Sequence, residues 1–191
     1  MFTRILRPGL MLLVCFTLLT GIIYPLLVTA MSALLFHPQA QGSLLFNGDR
    51  LIGSQLIGQN FSSPQYFWGR PSATSPQPYN AAASGGSNLG PLNPALLDKV
   101  KSNAKALHDA DPGNAAAIPV ELVTSSASGV DPDISPAAAE YQAARVARAR
   151  HLPLARVRAL VAERTLEPTL GIVGESRINV LELNLALDRL Y

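Results

Sequence analysis

From Gly9 to Phe36 the chain runs GLMLLVCFTLLTGIIYPLLVTAMSALLF, with apolar side chains on every face of a helix rather than in a stripe. A helix rises about 1.5 Å per residue and a bilayer core is about 30 Å thick, so about 20 such residues suffice to cross it. Hydrocarbon offers backbone groups no water, so an open chain can cross only as a helix. Pro25 removes one backbone donor inside the run and is expected to kink it. A cleaved secretory signal has a shorter apolar region, about 7–15 residues, ending in a small-residue cleavage site. This run is roughly twice that length, and no clean A-x-A follows it. Cys15 follows Leu-Leu-Val, not the small residues of a lipoprotein signal, and reads as a lipid-facing or packing residue.

Beyond the apolar run the pattern breaks into shorter pieces. Residues 42–57 alternate apolar and polar around Asn47-Gly48, which predicts a hairpin of two short strands. From Gly58 to Ala95 there are six prolines, five glycines and a single charge, Arg70. Disordered linkers are poor in aromatics, yet this stretch holds Phe61, Tyr66, Phe67, Trp68 and Tyr79. It reads as an ordered loop without regular structure, and such loops are usually functional. Asn93-Pro94 supplies an N-cap and a first helical residue, and Leu96, Leu97, Val100, Ala104 and Leu107 follow at helical spacing, predicting a helix over 94–108. A strand is expected over 118–124, a turn over 129–135, and helices from Pro136 to about Arg150 and over 154–164. A short strand is expected at Ile172-Val173, and a last helix is capped by Asn179 with Val180, Leu183, Leu187 and Leu190 on one face. The fold class is a single N-terminal transmembrane α-helix plus one mixed α+β extracytoplasmic domain.

Charge orients the span. Arg4 and Arg7 precede it, no formally charged side chain occurs from Pro8 to Gly48, and Asp49 and Arg50 come next. Positive charge is retained on the cytoplasmic side. Residues 1–8 are therefore expected in the cytoplasm, 9–36 in the membrane, and 37–191 in the periplasm or external medium, with 58–92 as the ordered loop region. The outer part is long enough for one core. It has no cysteine, so it must rely on packing or on a partner rather than on disulfides. The formal net charge of +2 and the compartment both disfavour nucleic acid as a partner.

The candidate chemistry is thin. Ser84-Gly85-Gly86-Ser87-Asn88-Leu89-Gly90-Pro91 could cradle a ligand phosphate, but it lacks the Lys-Ser/Thr ending of a nucleotide loop and reads rather as a compact turn that lets backbone approach backbone or a partner's surface. Ser102 and Lys105 match S-x-x-K, without the companion K-T-G and among lysines of a solvated helix face. Asp131 and Asp133 lack the glycine and glutamate that would complete a calcium loop, and turn formation with helix capping accounts for them. His37, His108 and His151 have no metal-ligand spacing. Arg145, Arg148, Arg150, Arg156, Arg158 and Arg164 read as a solvated helix face, with docking on an acidic membrane or partner as the sharper alternative. No catalytic or metal site is expected. The profile is that of a binding or assembly protein; a membrane-anchored envelope enzyme and a solitary periplasmic binding module are the alternatives.

One series of segments is distinctive when taken together. It comprises Gly21-Ile22-Ile23-Tyr24-Pro25, Gly42-Ser43-Leu44, and Gly53 to Gln59. It continues with Tyr66-Phe67-Trp68-Gly69-Arg70-Pro71-Ser72-Ala73, Tyr79-Asn80, Ser84 to Pro91 with Asn93, Pro119 to Thr124, Ser128 to Ala139, and Asn179 to Asp188. This resembles, nearly end to end, the C subunits of bacterial Kdp potassium-transporting P-type ATPases; Glu121 and Asp133 stand where the family pattern has Asp and His. The resemblance implies a non-catalytic accessory subunit in the bacterial inner membrane. Its implied partners are a channel-like potassium-binding subunit, a P-type ATPase subunit and a small stabilising subunit, together with membrane lipid. It implies no cofactor of the chain's own, with ATP, magnesium and potassium reaching it through the complex. The family is described as a catalytic chaperone that raises ATP affinity. The topology above puts the glycine-rich loop opposite the nucleotide site, so such an effect would travel through the span or the channel-like subunit. Interface cores favour Tyr, Trp, Phe and Arg. Tyr66, Phe67, Trp68, Gly69, Arg70, Tyr79 and Asn80 are accordingly the partner-interface candidates, with Trp68 and Arg70 as leading anchors. Ser84, Gly85, Gly86, Ser87, Asn88 and Gly90 form the ligand-or-turn loop.

Overall fold

A computed structural model describes residues 2–190, with side chains from Ile5 to Leu190. The expected segments 1–8 and 37–191 thus each run one residue past the described chain, at Met1 and Tyr191. Internal contacts divide the chain into two units, the boundary falling between Leu44 and Leu45.

In the first unit, helix α1 (Phe2–Leu18) passes through a π-helical turn (Leu19–Ile23) into α2 (Tyr24–Leu35), and one further turn, α3 (His37–Ala40), follows. The stretch Ile5–Leu35 is 31 residues long with a mean hydropathy of 2.4, and its most apolar window is buried nowhere against the chain itself. At about 1.5 Å per residue it extends about 46 Å, enough to cross a bilayer core with some tilt. The disturbance expected at Pro25 takes a definite form. Tyr24 donates its N–H to Leu19 O, five residues back rather than four, and Pro25 falls in the first turn of α2. The turn α3 was not expected; Ala40 donates to Phe36 O at 2.8 Å to close it.

The second unit begins one residue into β1 (Leu44–Asn47), which forms the expected hairpin with β2 (Arg50–Ser54). Its turn is Gly48-Asp49, one position later than the Asn47-Gly48 signal, and Gly48 has φ +60°. After the long loop come α4 (Pro94–Ala110), β3 (Asp133–Ile134), α5 (Pro136–Ala149), α6 (Leu154–Glu163), β4 (Ile178–Asn179) and α7 (Val180–Asp188). Three caps stand where the sequence places them. Asn93 Oδ1 accepts from Ala95 N–H, Ser135 Oγ from Ala138 N–H and Asn179 Oδ1 from Glu182 N–H. Strands β3 and β4 pair antiparallel, Asp133 opposite Asn179 and Ile134 opposite Ile178.

The core lies between α5, α6 and α7. Small Ala139 and Ala143 on α5 let Val157, Leu160 and Val161 of α6 approach, while Val180, Leu183 and Leu187 close the third side. Ile134 and Ile178 seal one end from the β3–β4 pair, and Phe67 enters from the loop. Each fully buried side chain of this size contributes about 1.5–3 kcal/mol.

Two expected strands are absent. Residues 118–124 instead form a 3₁₀ turn, Val120–Leu122, and Thr124 returns both its N–H and its hydroxyl to Val120 O. Burial of Leu122 and Val123 against the core, with no strand among the described residues pairing with the segment, overrides its β propensity. Ile172-Val173 forms only a bridge between Thr169 and Val173 at an exposed tip. Conversely, the expected turn over 129–135 contains β3, which pairs through only two residues and is too short to signal itself.

Candidate functional site: a clamped loop

The aromatic loop is held by a set of side chains from α5 and α7 that act in place of a neighbouring strand. At Phe67, Asn184 Oδ1 accepts from the backbone N–H and Asn184 Nδ2 donates to the carbonyl, each at 2.9 Å. At Trp68, Gln142 Oε1 accepts from the N–H at 2.8 Å and Gln142 Nε2 donates to the carbonyl at 3.0 Å. Two buried amides from two helices thus satisfy four successive groups of extended backbone. Phe67 is fully buried between them, so its leading contacts are with its own core.

Two arginines lock the loop from the helix side. Arg145 donates to Pro64 O at 2.6 Å and to Gln142 Oε1 at 2.7 Å, and its guanidinium lies over the Trp68 ring, 4.5 Å from the centroid. Trp68 Nε1 donates to Ser63 O at 2.9 Å, fixing the ring. Arg150 donates to Gln65 O at 2.7 Å, pairs with Asp188 at 2.7 Å and covers the Tyr66 ring at 4.8 Å. Tyr66 in turn donates to Asp188 at 3.2 Å and packs on Phe61. These arginines are only 4% and 6% exposed, which corrects the reading of 145–164 as a wholly solvated face. Burial pulls Arg145 down to about 10, still a cation at neutral pH. Desolvation is offset because each guanidinium finds carbonyl acceptors and an aromatic face together. Arg148 and Arg158, on the outer side, pair with Asp111 and Glu140. These charges line a cleft of about 750 Å³ that also includes Asn114. The cleft's ionic groups are thus paired among themselves. Among the described residues no three His, Cys, Asp or Glu side chains converge as a metal site would require.

The second half of the loop is fastened to the segment before β3. Arg70 pairs with Asp131 at 3.2 Å. Tyr79 folds back and donates its hydroxyl to Arg70 O at 2.5 Å. Burial pushes this phenol up to about 12; Asp131 adds to the shift and Arg70 works against it. A Cβ on Gly69 would lie 2.8 Å from the Tyr79 hydroxyl, so only glycine lets the ring close. Ser72 Oγ donates to Gly129 O at 2.6 Å and accepts from Tyr79 N–H at 2.9 Å. Asn80 accepts from Ala82 N–H and donates to Ser75 O, closing a local turn.

The glycine-rich run meets residues 126–129. Gly85 N–H and Ser84 Oγ both donate to Ser128 O, at 2.8 and 2.9 Å. A Cβ on Gly86 would come within 2.9 Å of Ala127 O. Ser87 borders a small cleft with Lys99 and Asn103 of α4. Asn88 takes φ +52°, and Gly90 accepts from Asn93 N–H at the start of α4. In this structure the run's backbone approaches backbone, and two of its donors are committed to the chain itself.

The structure therefore gathers Tyr66, Phe67, Trp68, Gly69, Arg70, Tyr79 and Asn80 into one clamped unit, with 84–90 attached through residues 126–129. Sequence reasoning missed Gln142, Arg145, Arg150 and Asn184. A signal existed for Gln142 and Arg145: both fall on the alanine-lined face of α5, where a polar residue has to find a buried partner.

A family model described as "K+-transporting ATPase, c chain" matches residues 6–189. The chain is 67% identical over 187 residues to a protein of Polaromonas naphthalenivorans named potassium-transporting ATPase KdpC subunit, covering 98% of this chain and 95% of that one. It is 65% identical over 185 residues to the protein of the same name from Variovorax paradoxus (97% and 96% covered) and 59% identical over 184 residues to that of Methylococcus capsulatus (96% and 97%).

Proposed function

Because the chain belongs to the KdpC family, the c chains of K+-transporting ATPases, we propose that its body is a preorganised docking element of the transport complex rather than a chemical centre. The chain is an accessory subunit of the Kdp potassium-transporting ATPase, a part other than the catalytic one, and ATP, magnesium and K+ belong to it through the complex. The span holds it in the bacterial inner membrane with Arg4 and Arg7 on the cytoplasmic side, and the body from Leu45 onward lies outside the cytoplasm. Its partners are the channel-like potassium-binding subunit, the P-type ATPase subunit and the small stabilising subunit, with lipid around the span.

The observation that carries this reading is the clamp. Asn184, Gln142, Arg145 and Arg150 fix a long, nearly uncharged loop before any partner arrives, which removes most of the ordering entropy that docking would otherwise cost. Tyr66, Trp68, Arg70, Tyr79 and Asn80 set the loop's shape from within. Its exposed positions, Pro76, Pro78, Ala81, Ala82, Ala83 and Leu92, meet the outer face of the channel-like subunit. Any influence on ATP affinity reaches the ATPase subunit through the span or through that channel-like subunit.

Mild-detergent purification of the tagged full chain from native membranes tests this. Recovery of a P-type ATPase and a channel-like protein, with potassium-stimulated ATP hydrolysis, is expected. Leu92→Glu and Ala82→Arg should reduce recovery of the channel-like protein without altering Trp68 fluorescence. Full recovery with both substitutions would remove the loop as the docking face. Elution of the parent chain alone would defeat the docking reading altogether.

A further inference from the structure

The centre of the apolar helix carries a backbone carbonyl that its own helix leaves without a donor. Thr20 lies midway along the run Ile5–Leu35. In the α register its carbonyl would accept from Tyr24 N–H, but that N–H is bonded to Leu19 O. In the π register the donor would be residue 25, a proline with no N–H. Neither register serves Thr20 O. The Thr20 hydroxyl is no substitute, since it donates to Phe16 O at 2.7 Å. Alongside, Gly21 carries no side chain, and a small residue lets another helix come close to the backbone within a membrane. An unbonded carbonyl in hydrocarbon costs several kcal/mol, and π-turns recur at functional positions.

We propose that the Thr20 carbonyl is the docking point for a transmembrane helix of a partner subunit, which crosses over Gly21 and donates a side-chain hydrogen bond from a hydroxyl or carboxamide. Delivering a donor to this depth requires a segment that satisfies its own backbone, which means a helix. A second copy of this chain fits poorly, because a two-fold pairing centred on Thr20 sets acceptor against acceptor. The proposal rests on the span crossing the bilayer within the complex, as proposed above.

Two substitutions test it in the complete complex in native membranes. Pro25→Ala restores an N–H and lets the helix serve its own carbonyl; Gly21→Leu covers the site. Both keep the span apolar. Each should lower partner-subunit recovery in mild detergent about three- to tenfold, the effect of losing one interhelical hydrogen bond within a membrane. Retention in carbonate-washed membranes, and the Trp68 fluorescence of each variant chain purified by itself, should not change. A photo-crosslinking side chain placed at Ile22 should join the chain to a different membrane protein. Undiminished recovery with both variants, or crosslinking only to lipid or a second copy, overturns the proposal. Release of the parent chain by carbonate would instead overturn the spanning reading on which it rests, and this proposal with it.

Discussion

Replacing Asn184 with leucine removes two hydrogen bonds and almost no volume. Asn184 serves both the N–H and the carbonyl of Phe67 at 2.9 Å, in a place where all three groups are buried. Leucine leaves the two peptide groups without partners and out of reach of water. Each such orphan costs about 1–3 kcal/mol, so the pair costs about 2–6 kcal/mol. The greater apolarity of leucine returns part of this, leaving a net loss of about 2–4 kcal/mol from a total stability of about 5–15 kcal/mol. The assay is equilibrium urea unfolding of the full chain in mild detergent, followed by the emission of Trp68, the only tryptophan present. With an m-value of about 1–3 kcal/mol/M, the midpoint should fall by about 1–2 M. Asn184→Asp sharpens the test. It keeps the acceptor for Phe67 N–H but turns a carboxylate towards the Phe67 carbonyl, so the folded-state pKa of the new carboxyl is raised. A raised carboxyl contributes stability that is present at low pH and lost as pH rises through the folded pKa. Asn184→Asp should therefore approach the parent on acidification, whereas Asn184→Leu should not. A leucine variant whose midpoint stays within about 0.3 M of the parent would refute the clamp, as would an aspartate variant with an unaltered pH profile.

Arg145→Met should cost about 2–4 kcal/mol, because it removes the bonds to Pro64 O and Gln142 and the cation over Trp68. Its signature is a change in Trp68 emission and quenching that Arg145→Lys does not rescue, since an ammonium cannot serve both acceptors from above the ring. Tyr79→Phe should cost about 1 kcal/mol at neutral pH, the worth of one hydrogen bond to Arg70 O. The Tyr79 phenol sits at about 12 when folded against about 10 when unfolded, so its stabilisation is complete below pH 10 and lost as pH rises through 12. Unfolding midpoints measured on either side of pH 10 should show that slope in the parent and a weaker one in Tyr79→Phe. Gly129→Ala should cost about 2–3 kcal/mol: φ is +67°, and a Cβ would sit 2.6 Å from Gly85 O, so thermal unfolding should shift downward while Gly90→Ala, in open space, changes little.

How far the sequence could be read depended on the range of the interaction responsible. The apolar run, the hairpin and the helix caps Asn93, Ser135 and Asn179 are local, because their partners lie within about four residues. The hairpin and the capped helices emerged with boundaries shifted by only a residue or two, while the helix carrying the apolar run begins at Phe2, seven residues before Gly9. The π-turn was half legible: Pro25 announced a missing donor, but which carbonyl lost its partner depended on the register the helix adopted. The strand expected over 118–124 failed because propensity cannot reveal whether a neighbouring strand exists. The clamp was illegible for a related reason. Asn184 reaches back 117 positions to Phe67, and Arg150 reaches 85 positions to Gln65. No period or spacing encodes such pairs, and buried arginines were therefore read as solvated ones.

The same distinction explains the division of labour inside the loop. A loop rich in Pro and Gly cannot hold its shape through a ladder of its own, since it has too few regular donors and no adjacent strand. Asn and Gln side chains carry a donor and an acceptor in the same spacing as a peptide group, so one such residue on each of α5 and α7 supplies the missing ladder one rung at a time. Arginine then adds what an amide cannot, a charge-assisted bond to a carbonyl together with an aromatic stack. Aromatic residues that a sequence reader assigns to a partner's surface are in this way half consumed by the chain's own helices. A surface intended for docking gains from this: the part that would lose most entropy on binding is already ordered, and only the small exposed positions outside it remain to meet a partner.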